Sequence, residues 1–228
     1  MSIFVPIPLS CPACRESGDF LVVQSVNADR RPDLRQAILD GAFQRETCAK
    51  CGAEFRLEPQ FTYFDGGRRQ WILIQQAFKL DQWATLEKAA RATYERTYGQ
   101  HASAQAQAVG GELVVRVVFG WPALREKLLC VEHGLDDVVL EMLKTMLLRN
   151  ADEPPISDDV ELRLVEVSGP QLTLAWVDAA TEGMFQTLQV PRSLYDDVAA
   201  DQANWGTLPE ELSAGAFVDM QRLFVGVE

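Results

Sequence analysis

The chain has 228 residues, of which 47% are apolar and 24% charged, with a formal net charge of −12. That length suits one large or two small domains, and the balance is ordinary for a soluble globular protein. No stretch reaches the ~18 uninterrupted apolar residues of a membrane span. The opening Met1–Pro6 lacks a basic region and is broken by proline, so no secretory signal is expected.

The charge is unevenly placed. Residues 1–150 hold 18 basic and 18 acidic side chains, and residues 151–228 hold 3 and 15, so the second segment carries the whole excess. This predicts a domain boundary near residue 150, with Asn150-Ala151-Asp152-Glu153-Pro154-Pro155 as the linker. It also argues against nucleic acid as a partner, because neither segment has a basic surplus to neutralise phosphates.

In chain order, the apolar, β-branched run Asp19–Asn27 predicts a strand. Pro32–Gly41 reads as a short helix, with Pro32 and Asp33 in its first turn and Gly41 closing it. Phe43–Thr47 and Glu54–Glu58 form a predicted hairpin with Cys51-Gly52 at its turn. A second hairpin, Phe61–Phe64 and Gln70–Ile74, brackets Asp65-Gly66-Gly67. Trp83–Tyr98 has helical spacing and ends at Gly99; His101–Ala108 is small and polar, and is expected to be a loop. A strand over Glu112–Phe119 precedes helices over Pro122–Glu132 and Leu135–Arg149. The last segment predicts a hairpin (Val160–Val167 and Gln171–Val177), a strand (Met184–Val190) and helices over Ser193–Ala203 and Pro209–Phe224.

The most informative residues are four cysteines in two pairs, Cys11-Pro12-Ala13-Cys14 and Cys48-Ala49-Lys50-Cys51. Two intervening residues let both thiolates of a knuckle reach one tetrahedral ion, and two knuckles complete a structural zinc site. Gly52, just after the second pair, suits the positive φ needed where the backbone bends toward the sulfurs; Arg15 holds that place in the first knuckle. Closing the 33-residue gap between the pairs costs roughly 3 kcal/mol of chain entropy. Zinc binding at roughly 10–16 kcal/mol offsets this. Iron on four thiolates is equally compatible with the spacing. The rival reading is dithiol redox chemistry, as in other CPxC sequences. Against it, the first pair follows no strand-to-helix pattern, and the second pair is left without a role.

Other chemical groups have simpler explanations. Cys130 sits among Leu128, Leu129 and Val131 as a core residue. His133, next to Gly134, reads as a helix C-terminal residue, and His101 as a loop residue. Asp136-Asp137 suits a helix cap rather than a catalytic pair, and Gly66-Gly67 is a turn with no phosphate-loop pattern around it. No nucleophile–base constellation is present.

The assembled cysteines and their surroundings resemble the CpXC-domain family of bacterial proteins. The first pair keeps the proline of the CPxC motif, and Ala49 replaces it in the second. Asn27, the helix Asp33–Gly41, Tyr63-Phe64-Asp65, Leu124–Leu128 and Gly134–Asp137 also fit, so the resemblance spans about residues 9–150. It implies metal binding by Cys11, Cys14, Cys48 and Cys51, and no activity.

The sequence therefore predicts an α+β protein. A zinc-ribbon-containing N-terminal domain (1–150) with inserted strand and helices precedes a small acidic α+β domain (151–228). The leading function is a non-enzymatic zinc-binding interaction or regulatory module. A thiol redox protein comes next, and an enzyme whose pocket the sequence hides comes third. Reduced CxxC pairs suggest a cytoplasmic address. The acidic segment points to a basic protein partner, and neither a membrane nor a nucleic acid is expected.

Overall fold

A computed structural model of the chain describes residues 1–151 and 160–225. Strands β1 (Ile3–Ser10) and β2 (Ser17–Asn27) form an antiparallel hairpin with the first CxxC at its tip. Helix α1 (Pro32–Leu39) leads to a second, shorter hairpin, β3 (Arg45–Thr47) and β4 (Glu54–Arg56), with the other CxxC at its tip. Next come β5 (Phe61–Asp65) and β6 (Gln70–Gln75), then α2 (Trp83–Tyr98), α3 (Ala104–Gly110) and β7 (Val114–Phe119). After α4 (Gly120–Glu132) and α5 (Asp137–Arg149) the described chain resumes as three strands, β8 (Val160–Ser168), β9 (Gln171–Asp178) and β10 (Met184–Pro191). Helices α6 (Arg192–Ala200) and α7 (Leu208–Ser213) follow.

The main sheet has the order β1-β2-β5-β6-β7, with β2/β5 and β6/β7 parallel and the other pairs antiparallel. Its alternation divides the core. Tyr63, Ile72, Ile74 and Val118 lie on one face with Leu34 and Ile38 of α1 and Leu124 and Leu128 of α4. Trp71, Leu73, Val117 and Phe119 lie on the other, with Ala90 of α2 and Phe217. Because both faces of β6 are covered, all six of its residues are buried, as a continuous apolar run in a central strand should be. A third core joins α5 (Val139, Leu140, Leu143) to Leu162, Leu164, Leu174 and Trp176 of the second sheet, which has the order β10-β9-β8.

Three expectations change. The first strand, β1, lies in a stretch where Pro6 and Pro8 suppress the strand signal. It is tolerated because β1 is an edge strand, paired only with β2, where proline's missing N–H costs least. The expected loop near His101 holds helix α3. The Ser103 hydroxyl caps it by accepting from the Ala106 N–H, and alanine and glutamine favour the turns that follow. The long helix expected over Pro209–Phe224 stops at Ser213. Beyond it, Ala216, Phe217 and Val218 are buried, and only a short 3₁₀ turn forms over Met220–Leu223.

Of the expected linker Asn150–Pro155, Asn150 is the C-cap of α5, and residues 152–155 lie outside the described residues. Packing on its two sides is continuous, because the third core draws residues from both. Buried charges reinforce that joint. Glu126 on α4 accepts from Lys144 Nζ (2.7 Å), Arg163 (3.0 Å) and the Leu164 N–H (2.6 Å). Arg163, at 2% exposure, also donates to Glu161 and Asp219. Glu141 takes hydrogen bonds from Lys144 and from the Met220 N–H. Among the described residues no helix is long and apolar enough to cross a membrane.

Candidate metal centre

The two hairpin tips repeat one local design. In the first, the Cys11 N–H donates to the Glu16 carbonyl (2.8 Å) and the Arg15 N–H to the Cys11 carbonyl (2.9 Å). In the second, the Cys48 N–H donates to the Ala53 carbonyl (2.9 Å) and the Gly52 N–H to the Cys48 carbonyl (2.9 Å). Arg15 and Gly52 occupy equivalent places, at φ 61° and 71°. The sequence expectation for Gly52 therefore holds, and Arg15 adopts the same left-handed geometry at the steric cost a side chain brings.

These turns bring Cys11, Cys14, Cys48 and Cys51 together, with all four sulfurs within 4.8 Å of one another. Two of the contacts cross between the knuckles, Cys11 Sγ to Cys51 Sγ at 3.8 Å and Cys14 Sγ to Cys48 Sγ at 3.7 Å. A tetrahedral ion with Zn–S bonds of about 2.3 Å needs sulfurs about 3.8 Å apart, so the donor set fits. Cys11 and Cys48 are buried, at 1% and 5% exposure, while Cys14 is half-buried and Cys51 exposed.

The electrostatics of the cluster are those of thiols in mutual competition. Hydrogen bonds from the Cys51 and Lys50 backbone pull the Cys48 thiol down to about 6. At Cys14 the Glu16 backbone pulls the same way, but the neighbouring sulfurs and burial prevail and push it up to about 12. One sulfur is thus favoured as a thiolate at the expense of another, and a bound cation is what lets all four ionise together.

Several residues that hold the centre had no sequence signal. Gln44 is buried with φ 59°. Its side-chain amide accepts from the Val23 N–H (2.9 Å) and donates to the Leu21 carbonyl (3.0 Å). It therefore stands in for a strand neighbour and ties the second hairpin to β2. Phe20 and Phe55 meet edge to face at 5.3 Å, joining the two hairpins below the sulfurs. Lys50 and Glu16 form an ion pair across the two tips.

The remaining sequence candidates fall where the simpler readings placed them. Asp136 caps α5, accepting from the Val138 and Val139 N–H groups. His133 ends α4, and Cys130 is buried, with its thiol pushed up by that burial. Apart from these candidates, the aromatic side chains Tyr63 and Trp71 are buried in the core, and the Trp83 indole donates to the Val225 carbonyl at 2.7 Å.

A family model described as CpXC protein matches residues 9–144, which include both cysteine pairs and run to the last turns of α5. No curated protein and no solved structure matches the chain.

Proposed function

The chain belongs to the CpXC family, and from that premise we propose that it is a non-enzymatic interaction or regulatory module built on one structural zinc. Cys11, Cys14, Cys48 and Cys51 would hold the ion. The observation that carries this reading is the convergence of four sulfurs within 4.8 Å from two hairpin tips of matching design. With four protein ligands no coordination position is left for an activated water, so such an ion fixes structure rather than performing chemistry. Iron on the same sulfurs remains the alternative metal. A thiol redox role is the alternative function, and metal content separates the two. Stoichiometric metal with four unreactive thiols supports the module, whereas metal-free protein with a reversible disulfide supports the redox reading.

The partner we propose is a basic protein surface, met in the cytoplasm, where the thiols stay reduced. Its support is the charge asymmetry together with the exposed acids Asp196, Asp197 and Asp201 after β10 and Glu210 and Glu211 on α7. Such steering is long-range and screened by salt. Capture of a basic partner should weaken severalfold between about 0.05 and 0.5 M salt. Capture that is indifferent to salt would remove this part of the reading.

A further inference from the structure

A cavity of about 190 Å³ opens between the main sheet and α4, far in sequence from the cysteines. The period of two along the paired strands makes one wall. Gln70 lies beside Val114 and Ile72 beside Arg116, with all four side chains on the face that α4 covers. Lys127, Cys130 and Val131, at helical spacing on α4, form the opposite wall, and Leu135 and Asp136 close one end. Lys127, Leu135 and Asp136 come from the α4–α5 stretch that the sequence singled out and the metal centre leaves without a role.

The polar groups of this cavity are unequal. Lys127 is fully engaged by Val218 O (2.6 Å), Asp137 (3.0 Å) and Glu141 (3.6 Å). Arg116 spends Nε and one terminal nitrogen on Asp137 and the other on the Val115 carbonyl, so each terminal nitrogen keeps one N–H. Among the described residues the Arg68 guanidinium pairs with Asp65, at 3.3 Å, and it is half-exposed at the mouth. Gln70 is 4% exposed; its amide nitrogen donates to the Lys127 carbonyl, while its Oε1 has no partner among the described residues. Asp65, Asp137 and Glu141 already answer the three cations, so what the space offers an acceptor is the spare N–H groups of Arg68 and Arg116. Ile72, Val114, Val131 and Leu135 supply apolar surface.

We propose that this cavity binds a small hydroxy-carboxylic acid of roughly six to ten non-hydrogen atoms, a size set by room for about six waters. The carboxylate sits against Arg68 and Arg116, the apolar body lies on Ile72, Val114 and Val131, and the hydroxyl donates to Gln70 Oε1. An acid of this class answers at once the spare guanidinium N–H groups, the apolar walls and the unpartnered acceptor. Larger nucleotides do not fit the volume.

Calorimetric titration of the full chain with 4-hydroxybenzoate, 3-hydroxybutyrate, benzoate and phosphate tests the assignment. At least one hydroxy acid binds, and Arg68→Ala weakens it by about tenfold or more, as loss of a charge-assisted contact should. Gln70→Leu removes the preference of 4-hydroxybenzoate over benzoate. Val131→Trp, which fills the mouth, abolishes binding. Three results would overturn the proposal: no binding of either hydroxy acid at about 10 mM, binding unchanged in both Arg68→Ala and Val131→Trp, or phosphate binding as tightly as the acids.

Discussion

At the hairpin tips, four groups of one kind converge from segments 34 residues or more apart. At the joint between α4, α5 and β8, opposite charges converge. Arg116, Lys127, Lys144 and Arg163 meet Glu126, Asp137, Glu141, Glu161 and Asp219. Both regions tie distant parts of the chain together with polar chemistry in a buried setting. They differ in what they need. The joint carries its own counter-charges and is nearly closed electrostatically, so it holds together without an ion from outside. Four thiols offer only donors of one sign, and the geometry that brings them together becomes favourable when a cation joins them. A cluster of like ligands thus calls for a counter-ion; a buried cluster of mixed sign holds together without one.

The comparison breaks most visibly if a ligand is taken from the tips. Cys48→Ser should cost the metal and unfold both hairpins, lowering the thermal midpoint by about 10 °C or more. Calorimetry with elemental analysis reads both effects, and an unchanged midpoint would mean that the sulfurs are not structural. The joint should respond differently, because it loses a partner rather than an ion. Glu126→Ala leaves Lys144 and Arg163 buried without a shared acceptor, at about 3–5 kcal/mol by denaturant titration, with metal content unchanged. A loss below about 1 kcal/mol would show that the joint is wet and weak.

Legibility in the sequence follows the same divide. The cysteines could be read because metal coordination imposes local spacing, and two residues between thiolates is a constraint visible in four letters. The strand–helix order over Asp19–Arg149 was readable from apolar periodicity. The ionic joint was not, because Glu126 and Lys144 look like any solvated helix charges until the fold brings β8 over them. Gln44 is similar, since a lone glutamine between hairpins gives no sign that its amide replaces a strand. Proline hid β1, and helix α3 lacked an apolar stripe. The acidic balance of residues 151–228 suggested a separate unit, yet Glu161 and Asp219 are spent inside the shared core.

The pH response should distinguish members of the joint. Burial disfavours the Asp137 carboxylate, but Lys127 and Arg116 prevail and hold its pKa well below the usual range. Its contribution is therefore present above about pH 4 and lost as pH falls through the depressed value. Glu141 has the opposite sign. Burial, opposed by Lys144, pushes it up to about 7. Folding then favours the protonated form, and stability declines as pH rises from about 4.3, the usual glutamate value, to about 7. The decline should be on the order of 3–4 kcal/mol. Glu141→Gln should remove most of it while leaving the loss below pH 4, with Glu161 and Glu58, also raised by burial, keeping a smaller share; a variant that keeps the whole decline would assign it to those groups.

The smallest expected effect is at the first tip. Arg15 holds a left-handed conformation with an exposed side chain, where the equivalent place in the second tip is glycine. Arg15→Gly should raise stability by up to about 1 kcal/mol without altering metal content. A loss of stability would show that the arginine makes a compensating contact.

Whether the four sulfurs share one ion is read by elemental analysis combined with X-ray absorption at the metal edge. One zinc or iron per chain is expected, surrounded by about four sulfurs, at about 2.3 Å for zinc. Folded, metal-free protein whose thermal midpoint is the same with zinc and with a chelator would contradict it.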